Sequence, residues 1–338
     1  MEFSEYVDSR RGAIYSKICE YIPIREPEEH YHMVREYSDR QGKYRRPGLL
    51  MLTGEIFGAH VDKLLSPSAA MQLSEDWILI HDDIEDDSEL RRGKPALHKI
   101  YGTEQAINAG DMVHMAMWKT LSDYAFLNGI EGKKVFDKFY DMLTRTVEGQ
   151  YREIKFIKSE RILDGIGEER YYEIIKSKTC YYSVYGPMQI GAMVAGKSDK
   201  AISVLKEIGE PAGIAFQIMD DILDMTADEG FGKKRYGDIE EGKLTLIALH
   251  AYNSASGAEK AKMDAIYSKT KAEKTKEDVA FVVEMINKYD GIGYAYGVAE
   301  SYGKKASEAL ERNSGILPEC DLKPVFSSAI KELFSRKK

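Results

Sequence analysis

The sequence predicts an all-α protein, on three observations. Only nine prolines occur in 338 residues, and none falls between Pro95 and Pro187 or between Pro211 and Pro318. The long proline-free spans carry apolar residues at three- and four-residue spacing, as in Ile107, Met112, Met115, Ala116 and Leu121, or Phe136, Phe139, Met142, Leu143 and Val147. That is the period of a helix. Alternating β-branched runs closed by turn pairs, the mark of strands, are scarce.

Taken in order, residues 1–40 read as one or two amphipathic helices broken around Pro23–Pro27. Gln41-Gly42-Lys43-Tyr44-Arg45-Arg46-Pro47 is a basic turn before a helix starting near Gly48. Residues 68–90 read as one helix that starts apolar and ends acidic. Ala109-Gly110-Asp111 reads as a helix start with Asp111 as N-cap. Further helices are expected at 132–157, 168–196 and 200–226. Glycines and charges between Asp228 and Gly237 suggest a surface loop that could act as a lid. Residues 255–280, rich in Lys, Glu, Ala and Ser, read as a solvated helical hairpin. No composition shift marks a boundary, so one domain over 1–338 is expected.

Forty-eight Lys and Arg against 56 Asp and Glu give a net charge of −8. Non-specific nucleic-acid binding is therefore disfavoured, and an anionic substrate would need locally concentrated basic residues. Cys19, Cys180 and Cys320 are far apart, without disulfide-framework or zinc spacing. The opening residues MEFSEYVDSRRGAIY have no signal-peptide core, and no apolar run approaches a membrane span. A soluble, cytoplasmic protein without stable membrane insertion is expected.

The densest chemistry lies in HDDIEDDSELRRGKP, from His81 to Pro95. At the end of a helix, the spacing i, i+1, i+4 puts Asp82, Asp83 and Asp86 on one face. Crowded carboxylates repel unless a cation joins them, and Mg²⁺ takes such oxygens while keeping positions for water or phosphate. Arg91 and Arg92 just beyond would suit the same anionic ligand. Alone, the pattern also fits a solvated acidic helix face.

It does not stand alone. FQIMDDILDMT repeats the spacing at Asp220, Asp221 and Asp224, among Phe216, Ile218, Met219, Ile222, Leu223 and Met225. Carboxylates in an apolar helix are costly unless paired or metal-bound. Two such helices facing one another would make a cation cage of six carboxylates. Lys233, Lys243 and Lys178, the last beside Thr179, are cations that could serve the same site.

The combination resembles the trans-isoprenyl diphosphate synthases (polyprenyl synthetases). The resemblance runs from Gly42–Pro47 through DDIED and RRGKP, Gly149-Gln150, Lys178-Thr179 and FQIMDDILD to the GK and DIEEGKLT segments. It implies an isoprenoid synthase fold, a helical bundle around a central cavity, in a homodimer. It also implies three Mg²⁺ per active site and head-to-tail condensation of isopentenyl diphosphate with an allylic diphosphate. By this resemblance Asp82, Asp83, Asp86, Asp220, Asp221 and Asp224 are the metal set. Arg91, Lys178, Lys233 and Lys243 hold the allylic diphosphate. Gly42, Lys43, Arg46 and Arg92 bind isopentenyl diphosphate. Thr179, Tyr182 and Gln217 stabilise the allylic cation, Phe216 lies over the acceptor, and Gln150 belongs to the substrate site.

Three residues depart from the pattern. Glu75 stands where the family has His or Gln against isopentenyl diphosphate, and a carboxylate there repels the substrate unless protonated or paired with Arg46. Glu153 replaces an Asp, and Gln41 replaces a glycine. Trp77, five residues before Asp82, would lie roughly 7 Å deeper along the helix and act as a floor to the growing chain. Position 78 is Ile, not the second aromatic of eukaryotic-type farnesyl diphosphate synthases, and Ser74 and Met71 follow below. The pattern resembles archaeal-type geranylgeranyl diphosphate synthases, with farnesyl diphosphate as the alternative product. A class I terpene cyclase would carry a different second metal motif. A non-catalytic or regulatory subunit would be expected to have lost motif residues, and all six aspartates are present.

Overall fold

The computed structural model describes residues 1–226 and 235–334. The helical expectation holds. In chain order the helices are α1 (Phe3–Tyr21), α2 (Glu28–Asp39), α3 (Arg45–Ile56), α4 (Val61–Glu85), α5 (Leu97–Tyr101), α6 (Thr103–Lys155), α7 (Glu168–Ile175), α8 (Gly186–Val194), α9 (Asp199–Thr226), α10 (Gly237–Glu241), α11 (Leu246–Ser254), α12 (Gly257–Tyr267), α13 (Lys276–Lys288), α14 (Gly291–Arg312) and α15 (Lys323–Phe334). Among the described residues the strands are β1 (Leu90–Arg91) and β2 (Lys94–Pro95), one antiparallel pair. No described helix is long and apolar enough to cross a membrane.

The chain forms two compact units of discontinuous stretches. The first comprises Met1–Asp141, Ser183–Lys206 and Arg312–Ala329. Its core is α3, buried at every position from Pro47 to Gly54, packed on α4 and α8. The second comprises Met142–Tyr182, Glu207–Glu311 and the stretch from Ile330. In it α11 packs on α7, α12 and α13. Ser256 with Glu259 and Thr275 with Asp278 form capping boxes that start α12 and α13. The 255–280 segment is therefore the whole of α12, a turn and the start of α13, and it is not wholly solvated: Met263, Ile266 and Tyr267 are buried.

Several boundaries differ from expectation. Helix α3 begins at Arg45, so Pro47 falls in its first turn, where a missing N–H costs nothing. Helix α4 starts at Val61, before Pro67, because burial of Leu64, Pro67 and the run from Ser68 to Ser74 outweighs one lost hydrogen bond. It stops at Glu85 rather than continuing to 90. The next residues turn back in a two-residue hairpin in which Arg92 (φ 55°) and Gly93 (φ 76°) are both left-handed. Ala109-Gly110-Asp111 lies inside α6, not at a helix start. A Cβ at Gly110 would collide with the His81 ring, so this glycine permits α6 to pass close to α4. Helix α6 is interrupted at Gly129 (φ 58°). The expected 168–196 helix changes winding: Lys176–Tyr185 is π-helical between α7 and α8. The lid expected between 228 and 237 falls mostly on residues 227–234, which lie outside the described residues, as does Lys233.

Candidate active site

In the first unit, the end of α4 and the hairpin after it place the first motif. Asp83 is buried. The Tyr37 hydroxyl, from α2, donates to its Oδ2 at 2.6 Å, and Arg91 Nε lies 3.0 Å from both its oxygens, with Nη2 also engaged. The same Nη2 stands 4.0 Å from Asp82. Asp82 and Asp86, one turn apart, are half-buried. The phenol of Tyr37 is pushed above its ordinary pKa by burial and by Asp83, so it stays a donor.

The hairpin sends its two arginines different ways. Arg92 reaches Asp76 at 2.8 Å and the Tyr37 carbonyl. Asp76 is fully buried and also accepts from Ser38 Oγ at 2.7 Å and Gln72 Nε2 at 3.0 Å. Burial raises its pKa even against the Arg92 charge. Gly42 lies against Arg92, since a Cβ there would stand 2.8 Å from Nη2. Arg46 Nη1 pairs with Glu75 Oε1 at 3.0 Å, and its Nε donates to Ser183 Oγ at 3.1 Å. The structure thus brings together Gly42, Arg46, Glu75 and Arg92. Lys43, on the same turn, is exposed.

Five residues before Asp82, the Trp77 ring stacks on His114 of α6, centroids 4.0 Å apart and 19° between planes. Trp118 Nε1 donates to His114 Nε2 at 2.7 Å, and Phe136 lies 5.1 Å from Trp118. Burial lowers the His114 pKa despite the pull of Asp111, and His81 lowers it further. Trp77 is therefore one leaf of an aromatic stack. Ile78 is half-buried beside it; Ser74 is buried, its hydroxyl donating to the Met71 carbonyl at 2.7 Å.

In the second unit, the second motif on α9 repeats the pattern of the first. Asp221 is buried; Tyr171 of α7 donates to its Oδ2 at 2.7 Å and Gln217 Nε2 to its Oδ1 at 2.8 Å. Burial and the nearby Asp238 raise its pKa well above the ordinary range. Asp220 and Asp224 are half-buried. The Thr179 hydroxyl donates to Gln217 Oε1 at 2.8 Å. Tyr182 is buried, and Phe216 half-buried one residue before Gln217. Lys178 is ion-paired to Glu153. Gly149 permits this, since a Cβ there would meet the Lys178 backbone nitrogen at 2.6 Å; Gln150 follows, half-buried. After the motif the chain folds back, the Asp238 amide donating to Asp224 Oδ2 at 3.2 Å. Lys243 pairs with Glu241 at 2.6 Å, and Thr245 caps α11.

In each motif the middle aspartate turns inward to a tyrosine, leaving the outer two half-exposed. Among the described residues, no three acidic, His or Cys side chains gather closely enough to hold an ion by themselves. The outer pairs, Asp82 with Asp86 and Asp220 with Asp224, are partly exposed hard oxygen donors, a type that suits Mg²⁺. Sequence reasoning did not single out Tyr37, Asp76, His114 or Trp118. The i, i+4 spacing of His114 and Trp118 was an available signal. Tyr37 and Asp76 gave none, because their partners are distant in sequence.

A family model for polyprenyl synthetase matches residues 27–286. Geranylgeranyl diphosphate synthase of Methanosarcina mazei is 32% identical over 337 residues, covering 99% of this chain and 98% of its own length. That of Sulfolobus acidocaldarius is 33% identical over 318 residues, covering 92% and 91%. The crystal structure of geranylgeranyl pyrophosphate synthetase from Pyrococcus horikoshii superposes with a TM-score of 0.85 at 30% identity, covering 99% and 98%. The chain belongs to the polyprenyl synthetase family.

Proposed function

We propose that this chain is a Mg²⁺-dependent prenyltransferase. It condenses isopentenyl diphosphate head-to-tail with an allylic diphosphate and releases geranylgeranyl diphosphate. The observation that carries the reading is the duplicated aspartate arrangement, with a tyrosine holding the middle carboxylate inward and two outer carboxylates half-exposed each time. Bound Mg²⁺ would neutralise the departing diphosphate, held by Asp82, Asp86, Asp220 and Asp224. The two compact units act as one catalytic domain in this reading.

The chain's own residues supply the rest. Arg91, Lys178 and Lys243 carry the positive charge that stabilises diphosphate as it gains charge on C–O cleavage. Their carboxylate partners, Asp83, Glu153 and Glu241, keep those cations placed before substrate arrives. The Thr179 proton is committed to Gln217, so Thr179 presents lone pairs to an allylic cation. Gln217 is fixed in turn by Asp221 and Tyr171. Gly42, Lys43, Arg46 and Arg92 take isopentenyl diphosphate. The Trp77–His114 stack ends the chain's path, which favours twenty carbons over fifteen. An exposed apolar face on α6, with Met115 at 67% and Phe126 at 88% exposure three turns apart, supports a homodimer.

Incubation with isopentenyl diphosphate, each allylic diphosphate and Mg²⁺ tests the reading. Diphosphate release without isopentenyl diphosphate would indicate a cyclase, and absence of turnover a non-catalytic subunit.

A further inference from the structure

Glu75 is the one acid among the residues assigned to isopentenyl diphosphate, and its surroundings are unusual. Its Oε1 lies 3.0 Å from Arg46 Nη1 and 4.0 Å from Arg92 Nη2. Its Oε2 is buried without a hydrogen-bond partner. Asp76 next to it is different: three donors satisfy it, and it anchors Arg92. Glu75 is therefore not needed to hold Arg92. A structural ion pair would be expected to satisfy both carboxylate oxygens, because an unmet buried acceptor carries a desolvation cost.

A carboxylate presents to a guanidinium the same pair of anionic oxygens as a phosphate. We propose that Glu75 is an internal competitor for the diphosphate of isopentenyl diphosphate. It occupies Arg46 and weakens Arg92, so the donor substrate binds only by displacing it. This rests on the assignment of Arg46 and Arg92 to the donor substrate. Glu75 is a specificity residue that sets how much isopentenyl diphosphate the enzyme needs. Because each elongation consumes one donor molecule, Glu75 also tilts the competition between elongation and release when the donor is scarce.

Glu75→Gln keeps the side chain's size and removes the charge, while its new N–H groups can donate to phosphate. The variant is expected to lower the KM for isopentenyl diphosphate roughly threefold to tenfold, the range of one half-buried ion pair, and to tighten its Kd by calorimetry alike. The KM of the allylic substrate should not fall. At sub-saturating donor, product length should shift upward. Glu75→Ala should move the donor KM in the same direction, and circular dichroism checks that both variants fold. A donor KM or Kd that rises or stays unchanged in Glu75→Gln overturns the proposal, since a rise would make Glu75 a positioning residue for Arg46. Calorimetry separates this from the larger reading. Tighter donor binding without any elongation by the wild type would sink the prenyltransferase assignment and leave the role of Glu75 standing.

Discussion

The Trp77 indole lies flat on the His114 imidazole, ring centroids 4.0 Å apart, and Trp118 fixes that imidazole with a 2.7 Å hydrogen bond. The floor proposed for the growing chain would thus be built from two helices, stiffer than a single bulky residue on α4. Removing either leaf should open it. Trp77→Ala and His114→Ala are each expected to lengthen the product, read by thin-layer chromatography of the dephosphorylated prenols. Unchanged distributions in both would remove the stack from the chain-length assignment.

The same stack carries a pH dependence. Burial holds the His114 pKa below the ordinary 6.5, so below that value the unfolded chain binds more protons at this position than the folded one. The stability contributed by neutral His114 is present above about pH 6.5 and is lost as pH falls through the folded pKa. Protonation of Nε2 also abolishes its acceptor role toward Trp118. Urea midpoints at pH 7.5 and 5.5 should therefore fall more in wild type than in His114→Gln. His81 and Asp111, which face His114, are present in both proteins. Equal falls would exclude His114 as the source.

Tyr37 and Tyr171 play equivalent parts on different helices. Tyr37→Phe and Tyr171→Phe each leave one donor fewer on a buried carboxylate, at a cost of about 1–3 kcal/mol in unfolding free energy. Turnover should fall in both, since the outer aspartates and Gln217 lose their support. If urea titration found both variants as stable as wild type, the tyrosines would not be the anchors described.

The exposed apolar face on α6 yields a separate prediction. Phe126 and Leu127 are 88% and 79% exposed in the single chain. The double variant Phe126→Glu, Leu127→Glu should elute as a monomer where wild type elutes as a dimer. A wild-type monomer, or a dimeric variant, would rule out this face as the contact.

Much of this protein was legible in sequence because its signals are local. The helical period and the two DDxxD spacings each depend on neighbours within one turn, whereas the cap expected at Asp111 falls inside α6. The hairpin at Arg92 was not legible, because it needs left-handed backbone at an arginine where Asn-Gly would be the usual cue. Nor was the π-winding around Lys178 and Thr179, since apolar spacing over ten residues does not separate it from an α-helix. The Asp83–Tyr37 and Asp221–Tyr171 contacts join residues 46 and 50 positions apart, beyond any periodicity. Those contacts divide each acidic motif into one anchor and two outward groups.

The central claim is that this chain elongates an allylic diphosphate with isopentenyl diphosphate under divalent-metal control. The most direct measurement is incorporation of radiolabelled isopentenyl diphosphate with farnesyl diphosphate as primer, with and without EDTA, for wild type, Asp82→Ala and Asp220→Ala. Wild type with Mg²⁺ should give labelled geranylgeranyl diphosphate, EDTA should abolish it, and each variant should lose at least a hundredfold, about 2.7 kcal/mol of transition-state stabilisation. Label confined to unreacted isopentenyl diphosphate in wild type, or full activity in either aspartate variant, would contradict the account.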